Sequence, residues 1–264
     1  MCAYAAEKSA LTESLGKAVA EVAAAKEAGA PFTVAISGGS LPKLLADGLL
    51  AVEGKTRHAL PRPHPNRHTN LRSPCGAGVD YSSWHVFFAD ERVVPLDHED
   101  SNFKACDEVF FSKAGIAREQ IYTVDATLSA EDAAAAYTKQ LEAVFGTDSM
   151  PSFDLVLLGM GPDGHTASLF PGHALLEVRD RWVASIEDSP QLPPKRITLT
   201  YPVLNTAQNV YFVCTGAGKA ENLAIALGAS EGSVPAGEVK PSSGNLVWFV
   251  DDDASADYRA KKGL

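Results

Sequence analysis

Short apolar runs alternate with stretches of helical periodicity along nearly the whole chain, and this alternation limits the fold more than any other feature. Residues 32–36, 84–89, 121–124, 153–158, 182–186, 197–200, 209–215 and 245–250 are strand candidates. Helical spacing falls between them. Leu11, Leu15, Ala18, Val19, Val22 and Ala23 form one apolar stripe, which Gly29 and Pro31 close off. Residues 41–50 predict a second helix, with Ser40 as N-cap and Pro42 in the first turn, where its missing N–H costs little. Residues 101–114 stop at Gly115, residues 129–145 start at Ser129 and end at Gly146, and a last helix spans about 218–227. Apolar strands separated by helices favour an α/β fold: a doubly wound, mostly parallel sheet with helices on both faces. Such sheets bind ligands beyond the carboxyl ends of their strands, so the loops just after strands are where chemistry is expected.

Composition removes several function classes. With 33 acidic against 23 basic side chains the net charge is −10, which disfavours a general binder of nucleic acid or of an anionic membrane surface. No run reaches the roughly 20 apolar residues of a membrane span. The start of the chain, MCAYAAEKSALTESLGK, lacks a basic region followed by an apolar core, so no signal peptide is expected. Cysteines at 2, 75, 106 and 214 show no CxxC spacing, which fits a reduced, cytoplasmic protein. Residues 55–78 (KTRHALPRPHPNRHTNLRSPCGAG) are rich in Pro, Arg and His, and predict a flexible surface insertion in an otherwise single-domain chain of 1–264. A metal site from His58, His64 and His68 is the sharper alternative, and a basic arm that attracts anions is another.

Four post-strand loops carry reactive or charged residues. In Ser37-Gly38-Gly39-Ser40 two glycines let the backbone approach an anion, and the following helix adds free N–H groups; the plainer reading is a tight turn. The segment fits neither GxGxxG, GxxxxGK[ST] nor GxSxG. Asp90-Glu91-Arg92 is either a solvated charge run or the rim of a ligand crevice, where Arg92 can clamp a phosphate and Asp90 can hold sugar hydroxyls. Gly159-Met-Gly-Pro-Asp163-Gly-His165 is the strongest local signal. Its histidine is either a general base oriented by Asp163, a structural residue, or one of a metal-binding set with Asp163 and His173. Lys195, Arg196 and Lys219 are each solvated cations when read alone; with Arg92 they supply the positive charge that a phosphate dianion needs.

Taken together, AISGGSLP (35–42), FFADERVVP (87–95) with SNFK (101–104), LVLLGMGPDGHTASLFPG (155–172), PKRITLTYPVLN (194–205) and TGAGKAENL (215–223) resemble the 6-phosphogluconolactonase family, within the wider group that includes glucosamine-6-phosphate deaminase. The resemblance implies one Rossmann-like domain of the sugar-phosphate isomerase/deaminase type. It also implies hydrolysis of 6-phospho-D-glucono-1,5-lactone, with no metal or organic cofactor, and a small sugar-phosphate substrate as the only expected partner. On these motifs His165 becomes the base that activates water and Asp163 its orienting partner. Gly38, Gly39, Ser40, Arg196 and Lys219 become the phosphate site, with Arg92 nearby. Asp90 matches the acid of the deaminase branch. The rival readings are a glucosamine-6-phosphate isomerase/deaminase and a non-catalytic sugar-phosphate sensor. A cytoplasmic monomer is expected.

Overall fold

The computed structural model describes residues 2–5, 8–27, 29–59, 79–242 and 244–264. In chain order its elements are β1 (Cys2–Ala5), α1 (Lys8–Ala24), β2 (Phe32–Ile36), α2 (Leu41–Ala59), β3 (Trp84–Phe88) and β4 (Asp90–Arg92). Next come α3 (Asn102–Cys106), which runs through a π-helical turn (Asp107–Phe111) into α4 (Ser112–Ala114), then α5 (Ala130–Phe145) and β5 (Leu155–Gly159). The chain closes with β6 (Val183–Ile186), β7 (Arg196–Leu199), α6 (Tyr201–Thr206), β8 (Asn209–Cys214), α7 (Ala220–Ala226), β9 (Asn245–Asp251) and α8 (Asp252–Lys262).

The main sheet has six strands in the order β1-β9-β8-β5-β2-β3, and every pairing in it is parallel. Its central strands are buried on both faces, as their continuous apolar runs require. Val34, Ile36, Leu155, Leu157 and Val213 face a core shared with α1, α2 and the α3–α4 segment. The alternate residues Ala35, Val156, Leu158, Phe212 and Trp248 face a second core that includes α5, α6 and α7. The doubly wound reading therefore holds.

The winding direction reverses at β2. From β2 the chain moves to β3 on one side, while β5, β8 and β9 are added on the other. The loops after β2 and β5 therefore diverge to opposite sides and leave a crevice between them. These are the loops of residues 37–40 and 159–165.

Several expectations need correction. β4, β7 and β6 form a separate three-stranded antiparallel sheet in that order, so residues 90–92 are a strand and not a loop. Residues 121–124 contribute only one parallel bridge, Ile121 to Val86, because the chain leaves the sheet edge at once. The amino-terminal strand beside β9 carries no sequence signal, since alanine has poor strand propensity. Helix α2 runs to Ala59, nine residues past the expected stop, and so takes in the first five residues of the supposed insertion. Residues 60–78, including His64 and His68, lie outside the described residues, as does the side chain of His58. Cys106 and Cys214 are buried free thiols. No helix among the described residues is long and apolar enough to cross a membrane.

Candidate active site

At the switch point lies a cavity of about 210 Å³ whose lining includes Ser37, Gly38, Gly39, Ser40, Asp90, Arg92, Gly161, His165, Gln191, Arg196 and Lys219. The crevice thus gathers every expected site residue except Asp163, which stands behind the imidazole.

The loop after β2 is fixed at both ends. Ser37 N–H donates to the Leu157 carbonyl at 2.9 Å, and the Ser37 hydroxyl donates to Asp90 Oδ1 at 2.9 Å. Gly39 has φ +74°, a left-handed conformation that other residues adopt at a cost. The chain then enters α2, a helix of 19 residues whose first N–H groups and dipole favour an anion here.

Strand periodicity explains why three consecutive charges in β4 behave differently. Asp90 and Arg92 share one face and line the cavity; Glu91 points the opposite way and is fully buried. Asp90 is itself 4% exposed, and its second oxygen accepts the Ser168 hydroxyl at 2.9 Å. Glu91 accepts N–H groups from Arg92, Asn102 and Phe103, each at 2.8 Å, so it caps the start of α3. Burial outweighs those donors and pushes its carboxyl up to about 7.

Antiparallel register sets Arg92 directly opposite Arg196. Like charges in facing positions destabilise a sheet, so the pairing is unfavourable unless an anion joins it. Arg196 is 1% exposed, yet its Nε and Nη2 donate only to the carbonyls of Pro193, Gln191 and Leu192. Burial, followed by the Arg92 guanidinium, lowers its hold on the proton, although a guanidinium remains charged in proteins. Lys219 follows β8 in a loop whose Gly216 N–H is held by the Asp251 carboxylate at 3.0 Å. Among the described residues none of Arg92, Arg196 and Lys219 forms an ion pair with a carboxylate. Lys195, by contrast, is an exposed residue 4.0 Å from Glu187, and takes no part in the site.

The loop after β5 holds the imidazole. His165 Nδ1 lies 2.5 Å from Asp163 Oδ1, and the same oxygen accepts the His165 backbone N–H at 3.2 Å. This contact assigns the ring proton to Nδ1 and leaves Nε2 with the free lone pair. Gly161 lies flat beneath the ring: a Cβ there would sit 2.1 Å from two ring atoms. Phe170 packs against the imidazole with centroids 4.6 Å apart, and the Arg196 guanidinium lies 5.6 Å from the same phenyl centroid. One buried aromatic ring therefore seats the imidazole beside a cation of the crevice. Ala167 completes the wall at φ +48°, a strained conformation costing roughly 1–2 kcal/mol, held by reciprocal bonds between Thr166 and Leu169.

The metal-binding alternative does not assemble. His173 uses Nδ1 to accept from Leu175 N–H and Nε2 to meet Asp188 at 3.1 Å, so it stands apart from Asp163 and His165. Among the described residues no group of three His, Cys, Asp or Glu side chains is placed to hold an ion.

Residues 6–248 match the family of glucosamine-6-phosphate isomerases and 6-phosphogluconolactonases. The chain belongs to this family. It is 41% identical over 249 residues to the 6-phosphogluconolactonase of Rattus norvegicus, covering 92% of this chain and 89% of that one. To the 6-phosphogluconolactonase of Bos taurus it is 42% identical over 248 residues, covering 93% and 88%. Among solved structures, the 6-phosphogluconolactonase from Trypanosoma cruzi superposes with a TM-score of 0.78 at 26% identity, covering 97% of this chain and 96% of that one.

Gln191, Ser168, Phe170 and the buried pair Glu91 and Asn102 escaped the sequence reading. For Glu91 the deciding fact is the strand itself, which the structure supplies: alternation along β4 puts its side chain opposite Asp90 and Arg92. Gln191 had no sequence signal, because its place depends on how residues 189–194 fold back onto Arg196.

Proposed function

We propose that this chain hydrolyses 6-phospho-D-glucono-1,5-lactone to 6-phospho-D-gluconate, the second step of the oxidative pentose phosphate pathway. One observation carries the reading: an oriented imidazole and three cations that form no ion pair with a carboxylate among the described residues line the same cavity. Such a cavity suits a substrate with a dianion at one end and a hydrolysable carbonyl at the other.

The phosphate is assigned to the Gly38-Gly39-Ser40 loop, the start of α2, Arg92, Arg196 and Lys219. Arg196 would add a phosphate contact to a guanidinium already anchored by three carbonyls, so its geometry needs no rearrangement on binding. Gripping the phosphate holds the distant ester carbon in place, which converts binding into orientation. His165 Nε2 takes a proton from water as its oxygen attacks the carbonyl carbon. Asp163 accepts the hydrogen bond from Nδ1–H throughout, without taking the proton, and stabilises the imidazolium. The tetrahedral intermediate expels the ring oxygen, which receives that same proton, and the imidazole returns to its neutral form; the new carboxylic acid then loses the water's other proton to solvent, which is the proton released. No covalent enzyme intermediate is needed. We further propose that the protein acts as a monomer in the cytoplasm.

The test uses lactone generated immediately before mixing, with proton release followed against its spontaneous hydrolysis. Catalysed release, with no ammonia formed from glucosamine 6-phosphate, is the expected result. Ammonia production, or no acceleration over the spontaneous rate, would reject the proposal.

A further inference from the structure

Asn102 takes no part in the steps above, yet it is the residue that meets the anion loop from behind. It is 3% exposed. Its backbone N–H is fixed by Glu91 Oε1 at 2.8 Å, and the next N–H, that of Phe103, by Glu91 Oε2 at 2.8 Å. Its side-chain Nδ2 donates to the Asp90 carbonyl at 2.8 Å. With both ends tied, the amide oxygen cannot move away. It stands 1.9 Å from where a Cβ on Gly38 would be, with the amide carbon at 2.6 Å.

This contact separates the reasons for the two adjacent glycines. Gly39 is demanded by its own backbone, at φ +74°. Gly38 is absent from the positive-φ residues, so its conformation is open to any side chain. What excludes a side chain there is Asn102. The start of α3 is no anion site in its own right, because a carboxylate already fills it. Its work is mechanical: it carries the amide that supports the loop.

We propose that Asn102 is a positioning residue for the phosphate loop: held by the Glu91 carboxylate and the Asp90 carbonyl, its amide sets the height of Gly38 and so the aim of the loop's N–H groups. The inference rests on the assignment of residues 37–40 to the substrate phosphate. Hydrogen bonds to a phosphate oxygen weaken steeply once distance or angle drifts, so a loop without this support binds less well while the distant imidazole is undisturbed.

The experiment compares Asn102→Ala, Gly38→Ala and the double variant with Lys219→Ala, measuring kcat, KM, inhibition by 6-phosphogluconate, and Tm. Asn102→Ala is expected to raise KM and weaken product inhibition by ~10-fold with kcat within about threefold of wild type, the split that loss of positioning at a non-reacting group produces. Gly38→Ala alone should be worse, and removing the Asn102 side chain in the double variant should restore product binding to the level of Asn102→Ala. Should Asn102→Ala melt below the assay temperature, Asn102→Ser is read against the same thresholds. An unchanged KM in Asn102→Ala while Lys219→Ala raises it overturns this inference and leaves the phosphate site standing. A double variant no better than Gly38→Ala also overturns it. Unchanged KM in both Asn102→Ala and Lys219→Ala rejects the phosphate site, and this inference with it.

Discussion

A methyl group added at Gly161 tests whether the His165 imidazole works where it lies. The Cβ of Gly161→Ala would stand 2.1 Å from two atoms of the ring and 2.7 Å from Asp163 Oδ1, where ordinary contact begins at 3.4 Å. Gly161 is not among the positive-φ residues, so alanine can keep the backbone as it is. The side chains must then yield, and the ring has to retreat by more than ~1 Å, a misplacement that typically costs about 10²-fold in rate. Because the added carbon approaches the base and leaves the cations alone, the loss should fall on kcat, with KM within about threefold. Steady-state rates on freshly generated lactone, corrected for spontaneous hydrolysis, give both constants. A Tm close to wild type is expected, since the strain is relieved by one partly exposed side chain. A kcat within twofold of wild type would refute the reasoning. It would mean either that the backbone gives way, which a lower Tm would reveal, or that the ring takes no part in the chemistry.

Other expectations follow from the same geometry. His165→Ala should lower kcat by about 10²–10⁴-fold, the usual range for losing a general acid–base group, and a variant within twofold would remove His165 from the mechanism. Arg196→Ala and Lys219→Ala should mainly raise KM and weaken inhibition by 6-phosphogluconate, since the phosphate does not react; unchanged binding in both would contradict the cationic site. Glu91 supplies a pH test of stability. Its carboxyl moves from 4.5 to about 7 on folding, so the folded state holds the proton more tightly and stability falls as pH rises between those values. Across that window the unfolding free energy of Glu91→Gln should gain roughly 3 kcal/mol relative to wild type, at 1.36 kcal/mol per pH unit. Urea unfolding at pH 4.5 and pH 8 measures the difference, and a pH-independent gap would show that Glu91 does not titrate in this way.

Much of the architecture was legible in the chain. Buried parallel strands need apolar side chains on both faces, and helices need a periodic stripe, so the α/β class could be read directly from residues such as Val34–Ile36 and Leu155–Leu158. Local turn chemistry placed the helix ends too. Gly115 adopts φ +71°, and Ser129 accepts the Asp132 N–H as an N-cap. The loop residues singled out after β2, β5 and β8 all reach the crevice or back it. The antiparallel sheet was not legible, because β4 is three residues long and its pairing with β7 joins residues more than a hundred positions apart, Asp90 to Thr198 and Arg92 to Arg196.

The sequence by itself determined which side chains were available: an imidazole two residues from a carboxylate, a glycine-rich turn before a helix, and scattered cations. Those are local properties, governed by backbone preference and spacing. Only the tertiary structure decided which cations matter. Arg196 and Lys195 are neighbours in the chain, yet one is buried against Phe170 opposite Arg92 and the other is solvated. Lys195 lies just before β7, whereas Arg196 is its first residue and takes the register opposite Arg92, beside the phenyl ring of Phe170 that also packs on the imidazole.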